Sequence, residues 1–149
     1  MLAVNNNAFY ISFSSASGLY KSTDNGLTWN LINTTVTFSG LTFSGSNIFG
    51  RDGNSVSFST NGGLNWSTIN SGLPQGFSSN GGLAISSTNS SVFIGIDSSN
   101  IGKGVYRTTN NGQNWFLSSN GLTNLFINKL YSDGNVIYAG TRGGIFKSN

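Results

Sequence analysis

One eight-residue pattern occurs three times in this 149-residue chain and constrains its fold more than any other feature. The copies are Ser22-Thr23-Asp24-Asn25-Gly26-Leu27-Thr28-Trp29, Ser59-Thr60-Asn61-Gly62-Gly63-Leu64-Asn65-Trp66 and Thr108-Thr109-Asn110-Asn111-Gly112-Gln113-Asn114-Trp115. A short apolar run precedes each one: Gly18-Leu19-Tyr20, Ser55-Val56-Ser57-Phe58 and Gly104-Val105-Tyr106. Gly144-Ile145-Phe146-Lys147-Ser148-Asn149 opens a fourth copy and stops where its turn would begin.

The tryptophans lie 37 residues apart (Trp29 to Trp66) and then 49 (Trp66 to Trp115). Periods of about 40–50 residues built from β-type segments point to the four-stranded antiparallel blades of a propeller. Helical repeats would need a 3.6-residue apolar period, which no stretch supplies. Asn, Ser, Thr and Gly are also too dense for helix interiors. Calling the strands A to D from the axis outwards, strand B is the clearest. It reads Phe9-Tyr10-Ile11-Ser12-Phe13, Ile48-Phe49-Gly50, Val92-Phe93-Ile94-Gly95-Ile96 and Val136-Ile137-Tyr138-Ala139-Gly140, rich in aromatic and β-branched residues. A small residue near the end of each run (Ser12, Gly50, Gly95, Ala139) predicts close approach between sheets. The expected fold is an all-β propeller of about four blades, at residues 1–34, 35–74, 75–122 and 123–149, the last without its outer strand.

The repeated turn has its own chemistry. Asp24, Asn61 and Asn110 accept hydrogen bonds from backbone N–H groups further on, closing Asx-type turns. Gly26, Gly63 and Gly112 supply positive φ without a Cβ clash. Ser22, Ser59 and Thr108 bring a hydroxyl to the same backbone, and Trp29, Trp66 and Trp115 anchor the exit strand with about 150–250 Å² of buried surface each. Ser-x-Asp-x-Gly-x-Thr-Trp resembles the Asp-box, or bacterial neuraminidase repeat, of a β-propeller family. The copy ending Gly26-Leu27-Thr28-Trp29 matches in full, and the other two carry Asn for Asp and for Thr. Similar repeats occur in sialidases, xyloglucan-cleaving glycosidases, sortilin-type receptors and photosystem assembly factors. The resemblance implies a peripheral, structural turn, so Asp24 is expected to hold a hairpin and to have no part in catalysis.

Only 7% of residues are charged, against about 25% in an ordinary domain. Polar cover comes from Asn, Ser and Thr, a composition common on secreted and cell-surface β-proteins. An extracellular or cell-surface location is therefore expected, although no signal peptide is visible at Met1-Leu2-Ala3-Val4. No apolar run reaches the roughly 18 residues of a membrane span. The net charge of +3 comes from basic residues scattered along the chain, without the stripe that nucleic-acid binding needs.

Antiparallel topology puts the B→C turns and D→A connections on one face, where the family resemblance places ligands. Arg51, Asp52, Asp97, Lys103 and Arg142 are the charged residues expected there. Gln75, Phe77, Asn100 and Asn124 are the loop side chains suited to stacking or hydrogen bonding with a glycan or peptide. Catalysis has little to draw on. The chain contains no Glu, His or Cys, which removes His-based triads and ordinary zinc sites. Glycoside hydrolysis typically uses two carboxyl groups about 5–9.5 Å apart, and Asp52 with Asp97 is the sole candidate pair. No catalytic residue, metal or cofactor is expected. An incomplete ring exposes blade faces and a strand edge, so a ring-closing homodimer, or union with the rest of a longer propeller, is the expected partnership. The function expected is non-catalytic binding of glycan or protein, or assembly, with a glycosidase-like fragment or a purely structural scaffold as the alternatives.

Overall fold

The computed structural model describes residues 1–13, 18–77, 84–88, 90–96 and 104–148. Its strands form four antiparallel sheets in chain order. The first holds β1 (Leu2–Asn5), β2 (Ala8–Ser12), β3 (Leu19–Ser22) and β4 (Asn30–Asn33). The second holds β5 (Gly40–Ser44), β6 (Asn47–Arg51), β7 (Val56–Ser59) and β8 (Ser67–Thr68). The third holds β9 (Ala84–Ser87), β10 (Val92–Ile96), β11 (Gly104–Thr108) and β12 (Phe116–Leu117). The fourth holds β13 (Ile127–Asp133), β14 (Val136–Thr141) and β15 (Gly144–Lys147). This is an all-β propeller architecture of about four blades. Among the described residues the fourth blade has three strands, and no helix is long and apolar enough to cross a membrane.

Tight turns set the register. Asn6 and Asn7 sit at φ 46° and 64°, the paired positive angles that match the twist of a two-residue hairpin, and join β1 to β2. Each C→D turn closes in the same way. The Ser22 hydroxyl accepts from the Gly26 amide (2.9 Å) and donates to Asp24 Oδ1 (2.7 Å), which also accepts from the Thr28 amide (2.9 Å). Ser59 and Asn61 repeat this with Gly63 and Asn65 at 3.0 and 2.9 Å. Thr108 and Asn110 repeat it with Gly112 and Asn114, both at 3.0 Å.

The pairing registers sort every blade into two faces, one leading towards the next blade and one trailing towards the previous blade. Tyr10, Phe49, Phe93 and Tyr138 share one leading column of strand B, facing Lys21, Phe58, Arg107 and Lys147 on strand C. Phe9, Ile48, Val92 and Ile137 share a trailing column. The four small residues of strand B do not share one column. Ser12 and Gly95 lie on leading faces, whereas Gly50 and Ala139 lie on trailing faces, because a one-residue offset in the run flips the side chain. Gly50 has a clear reason to be small: a Cβ there would stand 2.6 Å from the Phe38 ring.

The core is a row of clusters between blades. Tyr10 and Leu19 meet Ile48, Leu41 and Phe43 between blades one and two. Phe49, Val56 and Phe58 meet Val92, Ile94, Tyr106 and Trp115 between blades two and three. Val105 and Phe93 meet Leu130, Ile137, Ala139 and Phe146 between blades three and four. The inner strands β1, β5, β9 and β13 pack side by side in that order, while β1 and β13 are not in comparable contact. Among the described residues the blades therefore form an open arc. Its two end faces are the trailing face of blade one and the leading face of blade four.

Candidate functional site

The residues expected on the ligand face have different fates. Arg51 is fully buried, although its Arg-Asp-Gly-Asn context reads as a turn. It closes β6 in phase with Phe49, so its side chain runs between blades two and three, where Nη1 donates to the Gly95 carbonyl at 2.9 Å. Burial pulls its guanidinium down to about 10, with Asp52 acting in the opposite direction. Phe77, expected as an exposed stacking platform, is buried in the same inter-blade core. Asp52 closes its own turn. Its carboxylate accepts from the Asn54 amide (3.0 Å), the Ser55 amide (2.8 Å) and the Ser55 hydroxyl (3.0 Å).

Gln75 and Arg142 are exposed, and the Arg142 guanidinium lies 4.5 Å from the centroid of the Phe126 ring. Asn124 caps the neighbouring turn by accepting from the Phe126 amide at 3.1 Å. Asp97, Asn100 and Lys103 lie outside the described residues. Asp24 sits at the opposite end of its blade, in the C→D turn. The Ser22 hydroxyl, then the Thr28 hydroxyl and amide, hold its carboxyl down at about 2.

A groove of about 560 Å³ opens elsewhere, on the outer side of the seam between blades three and four. Phe93, Val105, Leu117 and Leu122 line it from one side, Ile137 and Phe146 from the other. The edge strand β15 runs along it. Ser148 donates its amide to Ile137, so by strand alternation Phe146 also faces β14, and the backbone groups of Ile145 and Lys147 point outwards. Sequence reasoning noted the unpaired edge and missed the groove, because its walls come from two blades and no single repeat contains both.

The open ends of the arc form a third candidate surface. The trailing face of blade one carries Leu2, Val4, Phe9, Ile11, Tyr20 and Leu31, with Phe13 stacked edge-on to Tyr20 at 5.8 Å. The leading face of blade four carries Tyr131, Tyr138, Ile145 and Lys147, the two tyrosine rings 6.3 Å apart.

Residues 1–146 match the family described as the DUF6242 beta propeller domain, and the chain belongs to that family. No curated protein matches it. Among solved structures, a chain of a nidogen/laminin complex is similar at 14% identity and TM-score 0.74, over 99% of this chain and 59% of that one. The GH74 xyloglucanase from Xanthomonas campestris is similar at 16% identity and TM-score 0.71, over 98% of this chain and 26% of that one. YCF48 from Cyanidioschyzon merolae is similar at 14% identity and TM-score 0.63, over 99% of this chain and 52% of that one. At these identities the likeness is one of fold. The chain spans a little over half the length of the first and third of these structures, and about a quarter of the xyloglucanase.

Proposed function

We propose that this propeller-family chain is a non-catalytic module that binds protein, including a second copy of itself, outside the cell or at its surface. The observation that carries the reading is the chemistry of the two end faces. Within the chain, the leading face of blade one buries Tyr10 and Leu19 against Leu41, Phe43 and Ile48, with Tyr10 and Phe43 rings 5.3 Å apart. Tyr138 and Ile145 hold the places of Tyr10 and Leu19 on blade four, and Lys147 that of Lys21. Leu2, Val4 and Phe9 hold the places of Leu41, Phe43 and Ile48 on blade one. Yet Ile145 is 80% exposed where Leu19 is 0%. Each end thus presents one half of a contact that the chain already makes internally. Blade four of one copy on blade one of the next would repeat it, and two copies closing a ring of about eight blades is the simplest assembly.

The reading of the repeated turns as Asp-boxes draws support from their common closure by hydroxyl and Asx side chains. The non-catalytic reading draws support from the carboxylates, since Asp24 and Asp52 are both engaged in their own turns. The hydrolytic chemistry of the xyloglucanase belongs to that enzyme. YCF48 has been seen bound to D1 peptide, which makes protein a fitting ligand class for this fold. The low charge and the Asn, Ser and Thr cover favour an extracellular setting.

Light scattering on a sizing column tests the assembly. About twice the chain mass of 15.7 kDa is expected, and a monomer at high micromolar concentration would sink it. A fluorogenic glycoside panel is expected to stay silent, and turnover abolished by Asp52→Asn would overturn the non-catalytic reading.

A further inference from the structure

The second copy of the repeated turn differs from the others in one chemically important way. Asp24, Asn61 and Asn110 hold the same seat, and the next residue takes a left-handed backbone in each: Asn25 at φ 59°, Gly62 at 71° and Asn111 at 56°. Glycine follows the seated residue in copy two alone, and makes Asn61-Gly62 an Asn-Gly step. In such a step the backbone nitrogen can attack the preceding side-chain amide, because glycine carries no Cβ to shield it.

The turn also activates the group that would be attacked. Asn61 Oδ1 accepts from the Ser59 hydroxyl (3.0 Å) and from the Asn65 amide (2.9 Å). Two fixed donors on a carbonyl oxygen draw charge from its carbon and stabilise the oxyanion that forms when a nucleophile adds. The nucleophile is the next residue along the chain, so no encounter is needed. Among the described residues the Gly62 amide makes no hydrogen bond, since Ser59 takes the Gly63 amide (3.0 Å) and not that of Gly62. Asn61 is exposed, so water reaches it and ammonia can leave.

The related steps each lack one of these features. Asn110 has the same pair of donors, the Thr108 hydroxyl (2.8 Å) and the Asn114 amide (3.0 Å), but Asn111 follows it. Asn25-Gly26 and Asn111-Gly112 have the glycine, but its amide is engaged: Gly26 donates to Ser22 (2.9 Å) and Gly112 to Thr108 (3.0 Å). Asn120-Gly121 is exposed, yet among the described residues nothing donates to its side chain. Asn80-Gly81 lies outside the described residues.

We infer that Asn61 is a self-modification site, at which the folded turn converts the asparagine to an acid. The Gly62 nitrogen bonds to Asn61 Cγ, the Cγ–Nδ2 bond breaks, and the Gly62 amide proton leaves with Nδ2 as ammonia. The resulting succinimide is opened by water at either carbonyl, giving aspartate or isoaspartate with no change of oxidation state. Copy one shows how the aspartate product is kept. Asp24 Oδ1 accepts the equivalent bonds, from the Ser22 hydroxyl (2.7 Å) and the Thr28 amide (2.9 Å). The conversion thus gives copy two the carboxylate closure that copy one already has. It is independent of the protein-binding reading, since the C→D turns lie away from both end faces.

The test is incubation of the folded 149-residue chain at mildly alkaline pH, with peptide mapping by mass spectrometry over time. Conversion at Asn61 is expected to run at least tenfold faster than at Asn25, Asn110, Asn111 or Asn120. In concentrated urea its lead over Asn25, Asn111 and Asn120 should vanish, because all are then plain Asn-Gly steps. Gly62→Asn installs the residue that copies one and three carry there in the same left-handed backbone. It is expected to slow conversion at Asn61 at least tenfold; if the variant does not fold, the comparison of native chain with urea stands without it. No conversion at Asn61, a rate no faster than at Asn120 in the folded chain, or an unchanged rate in a folded Gly62→Asn variant would each overturn the inference.

Discussion

If two copies close a ring head to tail, every dimer has two identical joints, and one substitution damages both. Fully burying a side chain of this kind contributes about 1.5–3 kcal/mol. Leu2, Val4, Phe13 and Leu31 each keep roughly half their surface exposed, and Tyr131 and Ile145 keep more. Covering them is worth about 6 kcal/mol per joint, or about 12 for the ring. Association costs about 4–15 kcal/mol in lost freedom. A single joint of about 6 kcal/mol is therefore marginal, whereas two joints sharing one association cost exceed all but the upper part of that range. Leu2→Lys would set a cation in a joint whose other side carries Lys147 on the same face as Ile145. Ile145→Lys would remove the most exposed apolar side chain of that side and add a third charge beside Lys129 and Lys147. At about 2 kcal/mol per joint, each variant loses about 4 kcal/mol, close to a thousandfold in dissociation constant. Sedimentation equilibrium across a concentration series measures this directly, with Leu64→Lys on an interior blade as the unaffected control. The decisive feature is symmetry of effect. Were Leu2→Lys to abolish the dimer while Ile145→Lys left it intact, blade one would be packing on blade one and the head-to-tail reasoning would be refuted.

Three further outcomes follow from the interior. Asp24 is held at about 2 against an ordinary 3.8, so it adds stability above 3.8 and loses it as pH falls through its folded value. The wild-type melting temperature should then drop more between pH 4 and 2 than that of Asp24→Asn, which keeps the closure that Asn61 and Asn110 make; parallel curves would contradict this. Gly50→Ala should cost about 1–3 kcal/mol in urea unfolding, because the Phe38 ring occupies the space of the new Cβ. Arg51→Met leaves the Gly95 carbonyl without its guanidinium donor and should cost about 1–3 kcal/mol, whereas an unchanged midpoint would show that another group satisfies it.

Strands and turns were legible because each is a local pattern. Runs such as Val92-Phe93-Ile94 and Asx-Gly turns such as Asp24 to Gly26 declare themselves within a few residues, and the structure places strands at the strand B runs and at the apolar runs before the turns. Arg51 and Phe77 were read as loop residues because Arg-Asp-Gly-Asn and Pro-Gln-Gly-Phe carry turn residues. The alternation Phe49-Gly50-Arg51 already held the contrary signal, since it puts Arg51 on the face of Phe49. The groove was hidden for another reason. Ser118 to Leu122 match Ile69 to Leu73 in backbone hydrogen bonding, while position by position Ser118 differs in side-chain type from Ile69 and Asn120 from Ser71.

The separation of the core into seams gives the molecule a direction of resilience. Blades two and three are clamped on both faces, whereas blades one and four are clamped on one. In an array held by nearest-neighbour contacts, the terminal units open first and most often. Amide exchange in the isolated arc would accordingly fall from the outer sheets towards β6 and β10. A closed ring has no terminal unit, so every blade would inherit the protection of its neighbours, and assembly would make the chain's least durable sheets as durable as its middle.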